Sequence, residues 1–257
     1  MRNTNSNVFL VILLGVLSAF GPFVVDLYLP SLPQLAQFFA TTPSMTQLTL
    51  TTAMIGLAVG QLLLGPMSDK FGRKKPLILS LVIYIISTVC IIFSPNVETM
   101  IVLRVVQGLS SAGSVVISRA VATDLYRGRE MTRFFGLLMT INGIAPIISP
   151  ILGSLLLEYV SWKGVFAFLA LIGVAVLAFC FRLKESLSSE NRLQGSLFFT
   201  FSAFAKIVKN RLFMSYVGIE SFLLGAMFAY IAASPFILQS FYGLSAFAFG
   251  LCFGANG

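Results

Sequence analysis

Residues 65–77 read Gly65-Pro66-Met67-Ser68-Asp69-Lys70-Phe71-Gly72-Arg73-Lys74-Lys75-Pro76-Leu77. Five charges fall within seven of these residues, and a long apolar run lies on either side. A charged knot between membrane-length segments must sit in water, at the mouth of a tight connection between two helices. Gly72 permits a positive φ and Pro76 suits the first turn of a new helix, so the connection is expected to be shaped rather than loose.

The composition agrees with a membrane setting. Of 257 residues, 57% are hydrophobic and 10% charged, with a mean hydropathy of +0.94; a soluble domain carries about 25% charged residues. A net charge of +8 would suit nucleic acid, but the basic residues cluster in short loops between apolar runs. That is the pattern of membrane topology, and no nucleic-acid partner is expected. The chain has no histidine, which excludes histidine-based catalysis and histidine-ligated metal or haem. No catalytic constellation, metal site or cofactor motif stands out, so an enzyme is not expected. Cys90, Cys180 and Cys252 are widely spaced within apolar runs, which reads as buried thiols rather than a zinc site or a disulfide framework. Met1-Arg2-Asn3 before an apolar run imitates a signal peptide. That run continues to Leu29 around Asp26 and more runs follow, so it reads as a retained first span.

A spanning helix needs about 20 apolar residues. That rule predicts seven complete spans, near 8–28, 45–66, 77–94, 100–122, 134–157, 162–181 and 212–237, then an incomplete run at 241–257. A soluble helical bundle would need polar faces that runs such as 77–93 lack. Lys and Arg set the orientation. Arg2, the Lys70–Lys75 cluster, Arg127, Arg129 and Arg133 with Arg119 near that end of the fourth span, and the six basic residues from Arg182 to Arg211 fall on alternate sides in phase, fifteen of the seventeen present. The N-terminus is therefore expected on the cytoplasmic side. The organisation expected is a six-helix bundle over 1–182, a polar basic cytoplasmic linker over 183–211, and the start of a second bundle over 212–257. Within the linker, 198–208 has the pattern of an interfacial amphipathic helix.

The 65–77 stretch resembles the loop signature of the major facilitator superfamily, G-x-x-x-D-x-x-G-R-[RK]-x between the second and third helices. Asp26-Leu27-Tyr28-Leu29-Pro30-Ser31-Leu32-Pro33 is similar to the D-x-Y-L-P-x-L-P run of its Bcr/CflA drug-resistance subfamily. Arg104-Val105-Val106-Gln107-Gly108 resembles the R-x-x-Q-G motif of the fourth helix. Gly143-Ile144-Ala145-Pro146 with Pro150 and Gly153 resembles the antiporter motif of the fifth. Ala233-Ser234-Pro235-Phe236 and Gly243-Leu244-Ser245 fit the same subfamily. The resemblance runs from about residue 8 to the end. It implies an all-α major facilitator fold with a complete N-terminal six-helix bundle. About one and a half helices of the second bundle follow, so the chain looks truncated within an eighth span. It also implies a monomer in the bacterial inner membrane that exports small lipophilic compounds in exchange for protons by alternating access about a midplane site. Chloramphenicol-like or bicyclomycin-like drugs are the substrates it implies.

Ionisable groups inside a span cost about 2.5–3.5 kcal/mol on insertion scales and usually face a cavity or a partner. Asp26 and Arg104 lie at comparable depth near the outer ends of their helices. They are expected to act together, Asp26 as proton carrier and Arg104 as modulator of its ionisation; the alternative is a static salt bridge, or an Asp26 already among the outer headgroups. Glu220 is the one acid inside the seventh span, a second recognition site or a side chain snorkelling to the near interface. Gln107, Asn142, Tyr28, Tyr230 and Phe236 are expected to line a loosely specific pocket. Gly143, Pro146, Pro150 and Gly153 are expected to break up and bend the fifth helix as a gate, or are simply the Gly and Pro common in membrane helices. In the opening stretch, Gly65, Asp69, Gly72 and Arg73 are expected to gate with Asp124, Arg73 reaching Asp124 as a charged latch. The alternative is a set of solvated charges contributing about 0–1 kcal/mol per pair. The resemblance implies that Asp69 meets a helix N-terminus of the second bundle. The rival readings are a proton-coupled metabolite transporter of the same fold and an inactive membrane fragment.

Overall fold

The computed structural model describes residues 4–195, 204 and 207–256, and the regular structure among them is helical. In chain order the elements are α1 (Thr4–Asp26), a 3₁₀ turn (Leu29–Ser31), α2 (Leu32–Phe38), α3 (Pro43–Phe71), α4 (Lys74–Ile92) and α5 (Val97–Leu125). They continue with α6 (Gly128–Tyr159), α7 (Trp162–Phe181), α8 (Arg211–Pro235) with a π-helical extension (Phe236–Phe241), and α9 (Ala246–Asn256). A short 3₁₀ turn, Ser189–Asn191, lies in the linker. Seven spans are long and apolar enough to cross a membrane, Phe9–Phe38 counting as one, and α9 is a shorter apolar helix. The seven spans and the fragment expected from hydropathy are therefore present, with different limits.

Three expectations change for physical reasons. The second span does not stop at Pro66: α3 runs through it to Phe71, because a proline removes only its own N–H bond and membrane helices tolerate that loss. The connection shrinks to Gly72 and Arg73. Gly72 takes φ +87°, and a Cβ there would lie 2.6 Å from the Glu185 carboxylate, so glycine is needed for both conformation and space. The fifth span is not broken up. α6 is one helix of 32 residues through Pro146 and Pro150, and Ser149 Oγ donates to the Ala145 carbonyl at 2.6 Å. Of the three thiols only Cys180 is buried; Cys90 and Cys252 are exposed, since the outer faces of membrane helices are as apolar as their cores. The amphipathic helix expected over 198–208 lies mostly outside the described residues.

Successive spans alternate, so one end of the bundle carries the charged connections Gly72–Arg73 and Tyr126–Arg127 and the linker after Phe181. The opposite end carries the turns after Phe38, Ile92 and Tyr159. One apolar core, including Leu14, Leu17, Leu81, Tyr84 and Val121, fills the charged half. A second, including Tyr28, Leu32, Leu50, Met100 and Phe166, fills the other. The tightest seam joins α3 and α5. A Cβ on Gly108 would meet the Ala53 carbonyl oxygen at 2.0 Å and the Leu57 nitrogen at 3.0 Å, and one on Gly56 would meet the Val105 oxygen at 2.2 Å. Small residues facing one another let two backbones touch, the usual means of helix association where lipid removes the hydrophobic drive.

Gly108→Ala is expected to cost about 1–3 kcal/mol through overpacking. It should read as a thermal midpoint below that of Gly136→Ala, whose Cβ would meet nothing within 4 Å. Equal midpoints for the two variants would mean that the α3–α5 seam is not as close as described.

Candidate functional site

The first span changes character at Asp26. Pro30 and Pro33 follow closely and have no N–H to continue the hydrogen-bond ladder of α1. α1 accordingly ends at Asp26, and Ser31 Oγ closes the bend by donating to the Tyr28 carbonyl at 2.5 Å. Asp26 is 5% exposed, and its Oδ1 has no hydrogen-bond partner among the described residues.

Arg104, on α5, is fully buried and has no acid against it among the described residues. Its Nε donates to the Thr49 carbonyl at 3.1 Å, Nη1 and Nη2 to the Val24 carbonyl at 3.2 Å each, and Nη1 also to Gln107 Oε1 at 2.5 Å. The guanidinium carbon lies 4.1 Å from the centre of the Tyr28 ring, within cation–π range. Gln107 Nε2 in turn donates to Thr88 Oγ1 at 2.7 Å, and Tyr28 Oη shares a hydrogen bond with Thr49 Oγ1 at 3.1 Å. Arg104 thus ties α5 directly to α1 and α3, and through Gln107 to α4.

A cavity of about 610 Å³ opens between the helices beside this joint. Pro22 and Asp26 line it from α1, Met54, Leu57 and Gln61 from α3, and Val115 and Arg119 from α5. Asn142, Gly143 and Pro146 line it from α6, Met227, Phe228 and Tyr230 from α8, and Phe253 from α9. Asn142 Nδ2 donates to Ser18 Oγ at 2.6 Å, which fixes the α6 wall to α1. Tyr230 stacks on Phe253 with ring centres 5.8 Å apart. The walls are chiefly apolar, with a few amides and two charged groups.

At the charged end, Arg73 is buried and engages Asp124 twice, Nε to Oδ2 at 2.9 Å and Nη2 to Oδ1 at 3.2 Å, as well as Ser68 Oγ at 2.8 Å and the carboxylate of Asp69. Burial alone would lower the Arg73 pKa, but the hydrogen bonds and charges of Asp124 and Asp69 outweigh it and hold the pKa above its ordinary value. The linker closes over this group. Glu185 accepts from the backbone N–H of Arg73 at 2.7 Å and of Lys74 at 3.1 Å, capping the start of α4. Ser186 Oγ donates to Asp124 at 2.8 Å, and the Leu193 N–H donates to the Asp69 carbonyl at 2.8 Å. Partial burial would raise the Glu185 carboxyl. The hydrogen bonds from Arg73, Lys74 and Leu187, with the charge of Arg192, instead bring it below the usual glutamate range.

The structure therefore brings together some expected residues and separates others. Asp26, Asn142, Gly143, Pro146 and Tyr230 share the cavity, and Arg73 meets Asp124. Arg104 does not pair with Asp26; it grips the backbone two residues earlier. Tyr28 and Gln107 are fully buried in the Arg104 joint and do not line the cavity. Phe236 packs against the second core. Glu220 is exposed on α8, away from the cavity. Gly65 lies within α3. Pro150 and Gly153 are buried on the far half of α6, where a Gly153 Cβ would meet the Leu27 carbonyl at 1.8 Å. Sequence reasoning missed Gln61, Glu185 and Ser186, and it counted Arg119, near the end of its helix, only among the charges that set orientation. Arg119 lies six residues inside the end of α5, so the rule that singled out Asp26 and Arg104 applies to it as well.

The Major Facilitator Superfamily model matches residues 11–257. The chain belongs to that superfamily. It is 39% identical over 251 residues to the uncharacterized MFS-type transporter YdgK of Bacillus subtilis, covering 96% of this chain and 62% of that protein. It is 30% identical over 257 residues to the bicyclomycin resistance protein homolog of Haemophilus influenzae, covering 100% of this chain and 65% of that protein. The chain thus spans somewhat under two thirds of the length of these relatives. Among solved structures, a bacterial homolog of the human lysosomal transporter Spinster, inward-facing and unoccupied, superposes with a TM-score of 0.73 at 16% identity, over 100% of this chain and 60% of that one. With seven apolar spans and this family, the protein is a multi-pass membrane protein.

Two measurements check the site. Arg104→Met leaves the Val24 and Thr49 carbonyls without their buried donor, and an unsatisfied buried acceptor is expected to cost about 1–3 kcal/mol. A thermal midpoint within experimental error of the wild type would contradict the joint described. Because the Glu185 pKa is lower folded than unfolded, its contribution is present above its ordinary value of 4.5 and is lost as the pH falls through the folded value. The midpoints of wild type and Glu185→Gln should therefore differ near neutrality and converge on acidification; a gap that stays constant with pH removes Glu185 from the account.

Proposed function

We propose that this chain forms the N-terminal six-helix bundle, over 1–182, the linker over 183–211, and the start of the second bundle of a proton-coupled exporter of small lipophilic compounds. It works by alternating access in the bacterial inner membrane, with the N-terminus in the cytoplasm. One observation carries the reading: a chiefly apolar cavity of about 610 Å³ that holds Asp26, a nearly buried carboxyl with an unpartnered oxygen. Apolar walls with a few amides suit varied lipophilic molecules held loosely. A carboxyl on such a wall gains or loses a proton according to whether water or ligand reaches it.

Asp26 carries the proton in this reading, and Asn142, Tyr230 and the cavity face of α6 at Gly143 and Pro146 hold the substrate. Arg104, Gln107 and Tyr28 position the last turn of α1. Gly72, Arg73, Asp69 and Asp124 form the gate at the cytoplasmic end, and the relative named for bicyclomycin resistance supports export of drug-like compounds. Fifteen of the seventeen basic residues on alternate sides in phase support the orientation.

The test is accumulation of a fluorescent lipophilic dye in cells expressing the protein, with and without an uncoupler. Wild type is expected to keep the dye low until the uncoupler is added. Asp26→Asn is expected to fold and reach the membrane yet accumulate dye as control cells do. Uphill export that persists in Asp26→Asn excludes Asp26 as the proton carrier, and export that ignores the uncoupler excludes proton coupling.

A further inference from the structure

Of the described arginines in the first bundle three are buried or half-buried, and their surroundings differ. Arg73 is neutralised by two carboxylates, and Arg104 is saturated by carbonyls, an amide and an aromatic face. Arg119 lines the cavity from α5, and its Nε is shielded from solvent without a hydrogen-bond partner. It makes no ion pair with any described residue. A guanidinium inside a span costs several kcal/mol unless it faces a cavity or pairs, so an unpaired one on a cavity wall marks a ligand path.

The other charge in the cavity does not neutralise it. Arg104 grips the carbonyl of Val24, so Asp26 sits near the level of Arg104 along α5. Arg119 is fifteen residues further along that helix, roughly 22 Å at 1.5 Å per residue. The cavity is therefore basic toward the charged end and acidic toward the other, with Met54, Leu57, Val115 and Phe228 between.

We infer that Arg119 receives the anionic group of amphipathic organic ligands, a sulfonate or carboxylate, whose apolar body lies along the cavity. The planar fork of a guanidinium offers two parallel N–H donors to such a group. Gln61, on the facing wall and also in the charged half of its helix, adds a neutral donor. This inference rests on the cavity being the ligand site, and it extends that reading from lipophilic compounds in general to those that carry a negative group.

The experiment uses two fluorescent probes that share one aromatic skeleton, 8-anilinonaphthalene-1-sulfonate and the uncharged N-phenyl-1-naphthylamine. Their affinities are measured on purified wild type, Arg119→Gln, Arg119→Lys and Gly143→Trp in a non-ionic detergent. Arg119→Gln is expected to weaken the sulfonate about tenfold or more, the size of a lost charge-assisted hydrogen bond, and to leave the neutral probe unchanged. Arg119→Lys is expected to fall between. Equal effects on both probes, or no effect on the sulfonate, overturn the role of Arg119. Gly143→Trp tests the cavity itself: a Cβ there meets open space, so the indole fills the volume and both probes should be lost. If neither probe responds to Gly143→Trp, the cavity reading falls, and the Arg119 inference falls with it; if both respond and Arg119→Gln does not discriminate, only the inference falls.

Discussion

Arg104 carries a full positive charge into the protein interior without a carboxylate to meet it, and the arrangement of the first bundle depends on how that charge is accommodated. Desolvating such an ion costs several kcal/mol. The offset comes from hydrogen bonds to the Val24 and Thr49 carbonyls and to Gln107, each worth about 1.5–3 kcal/mol to a charged donor, and from the Tyr28 ring below the guanidinium. All of these acceptors must be in place together, so the last turn of α1 is fixed against α3 and α5. Asp26 follows two residues after Val24, and its position on the cavity wall is a consequence of that joint.

α5 then reads as a spine with different chemistry at three levels. Near one end Arg104 is saturated by neutral acceptors, near the middle of the charged half Arg119 is unengaged, and at the other end Asp124 is shared between Arg73 and Ser186. The close seam along Gly108 keeps α3 against this spine throughout. Glu185 and Ser186 bring the linker onto the same charged cluster, so the chain leaving α7 is bound to the turn between α3 and α4 before it reaches α8.

Much of the fold was legible because length and charge phase are one-dimensional signals. The number of spans follows from them; the shaped turn was read from Gly72 and Pro76, and charge phase put Arg73 and Asp124 at the same end of the bundle. The cavity was partly legible, through Asp26, Asn142 and Tyr230. What failed was azimuth. Equal depth placed Arg104 beside Asp26, but successive residues on a helix point about 100° apart, and Arg104, Gln107 and Tyr28 turn into the joint instead of the cavity. Arg119 lay inside the span expected over 100–122, but counting it with the orientation charges kept it apart from Asp26 and Arg104. Pro66 suggested an end that α3 does not have, because lost N–H bonds are tolerated where neighbours pack closely. Glu185 acts across more than a hundred residues of sequence, and no periodicity announces such a contact.

The kinds of oxygen at the two ends of the bundle differ. Around Arg104 they are peptide carbonyls, an amide and hydroxyls, and none of these takes up a proton in the range where a protein stays folded. Around Arg73 they are the carboxylates of Asp69, Asp124 and, at the neighbouring backbone, Glu185. Acid therefore weakens the Glu185 contacts at the start of α4 and leaves the neutral acceptors around Arg104 unchanged. The turn between α3 and α4 is thus held in part by a group that answers to pH, and the last turn of α1 by groups that do not.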